Sequence, residues 1–211
     1  MGIFDTILGF ITGSRRSNVR RAGRLAMNTA RHAAYEADRA AFQADALEHG
    51  ERTTSAEFSV LPATLAELTA SPYNDLRTPM NTAALFVVAL NVYNQDRAEA
   101  IAMINYLRGP NPLNSDDIRL LNEHMAQNNK EGCLARSYLA GAIPQNGYTP
   151  SQPYTIAITD NPYTYYDGAV ATVFVWCGGD NNPRSITMCK SADSLWYLGE
   201  LSLLDGVQPS A

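Results

Sequence analysis

Apolar positions along this chain follow three rhythms, and each predicts a different kind of element. Placed on a helix at about 100° per residue, Ile3, Phe4, Ile7, Leu8, Phe10 and Ile11 fall within one arc. Asp5, Thr6, Gly9, Thr12 and Gly13 fill the opposite arc. The two sets do not mix, which predicts an amphipathic helix over residues 3–13. Gly9 and Gly13 each cost about 1 kcal/mol against Ala, so this helix needs a surface to form on. A membrane interface, another protein and the body of this chain all qualify. After Gly13 and Ser14 a second helical rhythm covers roughly residues 18–47. Ala22, Leu25, Ala26, Thr29, Ala33, Ala37, Ala40, Ala44 and Leu47 share one face. Arg20, Arg21, Arg24, Arg31 and Arg39 lie on the other side. An alanine stripe buries little area but allows close approach, which fits packing on the body or on a second copy. The arginine side fits an anion, because Arg20 and Arg24 repel each other until one arrives.

The helical rhythm continues through residues 61–128, now with punctuation. Thr64 and Glu67 form a capping-box pattern before a short helix ending near Ala70. Pro79 suits a first helical position, and the helix over Met80–Tyr93 contains Ala83–Leu90, apolar on every side. Such a helix belongs in the centre of a core. Asn94 or Asp96 caps the next helix, which runs to about Leu107 and stops at Arg108-Gly109-Pro110. Ser115 starts a third helix to about Gln127, with Asp116 and Asp117 favoured in its first turn by the helix dipole.

Beyond residue 133 the period drops to two. Tyr154–Ile158, Ala169–Cys177, Ser185–Lys190 and Leu195–Leu201 read as strands. Short turns at Gly178–Pro183 and Ser191–Ser194 make the sheet an antiparallel meander. Helices first and strands afterwards predict an α+β fold. The organisation expected is a helical arm over 1–50, one α+β domain over 60–204 with a small helical bundle on a sheet of about four strands, and a flexible tail over 205–211.

Charge sharpens this division. The chain has 211 residues and a net charge of −5. Residues 1–40 hold seven arginines against Asp5, Glu36 and Asp38, a net of +4, so the remainder carries −9. A basic arm on an acidic body points to an anionic partner for the arm alone. Arg15, Arg16, Arg20, Arg21 and Arg24 are the candidate anion-binding residues, and Ile3, Phe4, Ile7, Leu8, Phe10 and Ile11 the candidate docking residues. Anionic lipid leads, because an apolar wedge directly precedes the arginines. Nucleic acid is disfavoured, since the chain has two Lys and no aromatic interleaves with the Arg cluster. The apolar run Ala83–Leu90 is far short of the roughly 18–20 residues that span a bilayer. The start lacks a basic segment ahead of its apolar one, so no secretory signal is read.

Motifs for chemistry are sparse. The three cysteines, Cys133, Cys177 and Cys189, do not form a disulfide framework. Pairing Cys177 with Arg184 in a hairpin sets Cys189 opposite Thr172, on the other face from Cys177, so reduced thiols and a cytoplasmic location are expected. Three scattered histidines give no metal-ligand spacing, and no nucleophile or phosphate-loop motif is present. No catalytic residue, metal or cofactor is assigned. Residues 137–183 lack Lys and Arg but are rich in tyrosine. Tyr148, Tyr154, Tyr163, Tyr165 and Tyr166 either pin proline-rich loops to the core or line a site for a neutral ligand or protein segment.

Several local patterns together resemble an uncharacterised bacterial domain family, found largely in Firmicutes. They are Leu61-Pro62 with Thr64–Leu68, Leu107–Pro110, Arg136-Ser137-Tyr138, Asn146–Ser151 running into Pro153–Ile156, Asn161-Pro162-Tyr163, and Trp196-Tyr197-Leu198. The resemblance covers about residues 60–204 and omits the arm. It implies one domain and carries no activity. The expectation is an interaction module that binds a protein or small partner, with its arm on an anionic membrane surface or in an assembly. A homo-oligomer built through the alanine stripe, and a small-ligand protein or enzyme with a tyrosine-lined pocket, are the alternatives. If the arm binds lipid, the location is the inner face of the membrane.

Overall fold

The computed structural model describes residues 50–165 and 168–210. The arm, except for Gly50, and Tyr166 lie outside the described residues. The helices form where local chemistry predicts them. In α1 (Leu65–Thr69) the Thr64 hydroxyl accepts from the Glu67 amide at 3.2 Å. The Glu67 carboxylate accepts from the Ala63 amide at 2.7 Å, one residue earlier than a standard capping box. Pro79 opens α2 (Pro79–Val92) after the Thr78 cap. Asp96, rather than Asn94, caps α3 (Arg97–Arg108). Helix α4 (Ser115–Asn128) carries a full capping box: Asn114 Oδ1 accepts from the Asp116 and Asp117 amides, and Asp117 Oδ2 accepts from the Asn114 amide. A single-turn helix, α5 (Cys133–Arg136), follows a tight turn at Lys130–Gly132.

Helix α2 is the axis of the core. Every residue from Ala83 to Leu90 is at most 1% exposed. Each large side chain buried this fully contributes about 1.5–3 kcal/mol of transfer free energy. The helix touches all five strands of one antiparallel sheet: β1 (Arg52–Phe58), β2 (Tyr154–Asp160), β3 (Val170–Val175), β4 (Arg184–Lys190) and β5 (Trp196–Leu198), in that spatial order. Ile156, Ile158, Val173, Val175, Ile186, Met188, Trp196 and Leu198 point at it and are buried. Thr82 donates its hydroxyl proton to the Trp196 carbonyl at 2.7 Å, tying α2 to β5.

The α+β class holds, with one correction: the sheet has five strands, not about four. The additional strand, β1, lies ahead of the helices in sequence and pairs with β2, Arg52 opposite Asp160 and Phe58 opposite Tyr154. Only Ala56 and Phe58 of β1 are buried, so its two-residue period is faint. The hairpin register is also shifted by two residues. Val175, not Cys177, faces Arg184, and Cys189 faces Val170, because β3 ends before Trp176. Cys177 is buried, with its thiol donating to Ser137 Oγ at 3.1 Å, and Cys189 is exposed. β2 and β3 pair only at Ile158–Val175 and Thr159–Phe174. Beyond that they part, and the Ala140 amide takes up the Thr155 carbonyl at 2.8 Å.

The segment expected as a tail is hydrogen-bonded to the body as far as Gln208. Arg184 donates to the carbonyls of Asp205 (2.6 Å) and Gly206 (2.7 Å), and Gln208 exchanges bonds with Gly179 and Tyr148.

Candidate functional site

The described residues contain a half-open cleft of about 320 Å³ on the helical side of the sheet. Its walls come from separate elements. Leu61 and Pro62 lead out of β1, Asn91 lies in the last turn of α2 and Asn94 just beyond it, Asn129, Glu131 and Gly132 form the turn into α5, Ala135 and Arg136 belong to α5, and Tyr154 opens β2. The α2 end reaches this wall because its apolar run stops at Leu90, so Asn91 and Asn94 are the first polar residues to leave the core.

The amides are locked to one another. Asn129, 3% exposed, accepts from the Ala135 amide at 3.0 Å and donates to Asn94 Oδ1 at 3.3 Å. Asn94 returns a bond to the Asn129 carbonyl at 3.2 Å. Asn91 donates both amide protons, to Val87 and Ala135 carbonyls, each at 2.9 Å. Its Oδ1 has no partner among the described residues, and it lines the cleft.

Arg136 supplies the cationic group. Its Nε donates to the Tyr148 carbonyl at 3.0 Å and its Nη2 lies 3.9 Å from Cys133 Sγ, while Nη1 has no hydrogen-bond partner among the described residues. Two left-handed residues shape the turn beneath it, Glu131 (φ 53°) and Gly132 (φ 76°). A Cβ on Gly132 would sit 2.8 Å from Arg136 Nη1, so glycine gives the guanidinium its room. The Tyr148 carbonyl is aimed by another left-handed pair, Gly147 (φ 64°) and Tyr148 (φ 56°). Asn146 braces that turn through the Ile143 and Thr149 amides and the Gly141 carbonyl.

The candidate tyrosines separate. Tyr148 and Tyr165 are core residues at 0% and 6% exposure. Tyr154 is half-buried in the cleft wall, and Tyr163 stands 79% exposed away from it. Tyr166, the apolar positions Ile3 to Ile11 and the arginines from Arg15 to Arg24 lie outside the described residues. The sequence offers Asn94 only as a helix cap and Arg136 only within a family pattern, and it marks neither Asn91 nor Asn129. The one available signal was the position of Asn91 and Asn94, three apart, at the polar end of an otherwise apolar helix.

A second cleft, about 580 Å³, lies between α4, β4 and residues 199–205. Its two arginines are already engaged. Arg184 bonds Tyr138 Oη, Asp180 and two backbone carbonyls, and Arg108 bonds the Asn111 and Gly199 carbonyls. Burial pushes the Tyr138 phenol far above its ordinary range, and Arg184 only partly offsets this. Among the described residues no cluster of three or more His, Cys, Asp and Glu is placed to hold a metal ion, and no helix is long and apolar enough to cross a membrane.

Neither the curated proteins nor the solved structures contain a match. Residues 60–211 match the model of a domain of unknown function, DUF6935, and with most of its length inside that match the chain belongs to this family.

Proposed function

We propose that the domain is a non-catalytic binding module whose amide-lined cleft holds a peptide segment by a carboxylate. The observation that carries this is the Arg136 guanidinium, fixed at Nε and open at Nη1, on the wall that also presents the open Asn91 Oδ1. A planar guanidinium matches a carboxylate, and a carboxamide oxygen matches a peptide N–H. Leu61, Pro62 and Tyr154 supply an apolar wall for the adjoining side chain. The arm, with its apolar wedge and arginines, attaches the module to an anionic membrane surface or to an assembly.

Titration of the full chain with N-acetylated peptides, followed by amide NMR, tests the cleft. Shifts centred on Asn91, Gly132 and Arg136 are expected with a free carboxylate and not with the C-terminal amide. Charged hydrogen bonds contribute about 1.5–3 kcal/mol, so Arg136→Gln should weaken binding roughly tenfold or more. Equal binding of acid and amide, or binding unaffected by the substitution, refutes the reading.

A further inference from the structure

Native folds leave few buried polar atoms unpaired. Among the described residues two side-chain atoms stand so, His124 Nδ1 and Ser202 Oγ. They come from parts of the chain far apart in sequence, yet both residues line the second cleft, the one of about 580 Å³. His124 reaches it from α4, where Asp117, Leu120 and His124 follow at steps of three and four and so share one helix face. Ser202 reaches it from a segment tied down at its backbone. The Gly199 carbonyl accepts from Arg108, the Leu203 carbonyl from Tyr138, the Leu204 carbonyl from Asn128, and those of Asp205 and Gly206 from Arg184. These bonds hold Leu203 in the left-handed region (φ 64°), uncommon for a bulky residue. A loop braced this closely at its carbonyls leaves one buried hydroxyl unmet.

The cleft has spent its donors and kept its acceptors. Every N–H of Arg184 is used: Nε on Asp180, Nη1 on Tyr138 Oη and the Asp205 carbonyl, Nη2 on Asp180 and the Gly206 carbonyl. An anion therefore finds no free donor on Arg184. Arg108 donates to the Asn111 and Gly199 carbonyls, and its charge is balanced by Asp117 at 4.0 Å, as that of Arg184 is by Asp180 at 3.2 Å. The Glu200 and Asp205 carboxylates line the same cleft and have neither ion pair nor side-chain hydrogen bond among the described residues. With both arginines balanced, these two carboxylates leave the walls with a surplus of negative charge.

We propose that this second cleft binds a primary alkylammonium group. Such a group is all donors and positively charged. Its N–H bonds match the open acceptors: the carboxylates of Glu200 and Asp205, His124 Nδ1 and Ser202 Oγ. Leu120, 43% exposed on the helix face that carries His124, takes the methylenes next to the nitrogen. Both unpaired atoms are closed to solvent, so each side chain turns toward the ligand as it arrives, Ser202 by rotation about a single bond. The turn exchanges an unpaired buried atom for a hydrogen-bonded one. This cleft shares no residue with the Arg136 cleft, so the two sites stand or fall separately.

Titration of the full chain with butylamine at neutral pH, followed by amide and imidazole NMR, tests it. Shifts centred on His124, Glu200 and Ser202 are expected. Butyltrimethylammonium has the charge without the N–H donors, and butanol has the chain without the charge, so each should bind several-fold more weakly. Ser202→Ala and, separately, Glu200→Gln should each weaken butylamine binding several-fold; Glu200 is exposed, so its substitution leaves the fold intact. Lysine blocked as its N-acetyl amide carries the same ammonium on a peptide, and without a carboxylate it does not engage Arg136. Tighter binding of blocked lysine than of butylamine assigns the group to a partner protein's lysine, and weaker binding assigns it to a free amine. No shift at His124 and Ser202, equal binding of the amine, its trimethyl analogue and the alcohol, or binding unchanged by both substitutions overturns the assignment.

Discussion

Tyr138 does two jobs that conflict at high pH. Its hydroxyl donates to the Leu203 carbonyl at 2.8 Å and accepts from Arg184 at 2.7 Å, in a site 2% exposed. A phenolate there would lose its solvation and its donor bond, so burial raises the folded-state pKa well above that of a free tyrosine. The folded protein therefore holds the phenol proton more tightly than the unfolded chain. This contribution is fully present below about pH 10 and is lost as pH rises from there, at up to about 1.4 kcal/mol per pH unit for one proton. Denaturant unfolding measured from about pH 9 to 11 should show a falling stability whose largest share disappears in Tyr138→Phe. An unchanged slope in that variant would place the effect elsewhere. The same scale shows the limit of reading tyrosines from sequence. The cluster is legible as a group, but its split into core anchors, a cleft wall and the exposed Tyr163 depends on backbone turns such as Gly147–Tyr148, which only the fold reveals.

Helices and strands were unequally legible, for a physical reason. Helix caps act over three residues, so Thr64, Thr78 and Asp96 announce their helices locally. Strand β1 has no such local marker. Its sequence, Arg-Thr-Thr-Ser-Ala-Glu-Phe, is mostly polar, and what makes it a strand is its partner more than one hundred residues away. The cleft has the same character: Asn91, Asn129 and Arg136 are ordinary polar residues until the fold brings them together. What holds β1 in place includes one ion pair. Asp160, 2% exposed, is met by Arg52 at 2.9 Å. Removing the cation leaves a buried carboxylate without its partner, which costs about 3 kcal/mol in comparable sites. Arg52→Ala should therefore lower the unfolding free energy by about 2–3 kcal/mol, while Arg52→Leu with Asp160→Leu should recover most of it. If the single and double variants are equally unstable, the pair is not what seats the strand.

For the molecule as a whole, the family boundary and the structural boundary differ. The family match begins at residue 60, whereas the sheet begins at Arg52. A chain cut at residue 60 would present the β2 edge bare, with Ile156 and Ile158 beside it, and open edges of this kind pair with other chains. Such a fragment should melt at lower temperature and aggregate, as read by scattering during a thermal ramp, whereas a chain starting at residue 50 should not. Equal behaviour of the two would mean that β1 is dispensable.

The separation between β1 and β2 also has a temporal side. Strands β2 to β5 follow one another within residues 154–198 and can zip by short steps, whereas Arg52 must find Asp160 across an intervening stretch that includes every described helix. Contacts of such sequence separation close slowly, because the loop entropy is lost before the pairing returns it. β1 is thus the piece that arrives last and leaves first. Its amides should exchange with solvent ahead of those in the rest of the sheet, making the first strand of the fold its least permanent one.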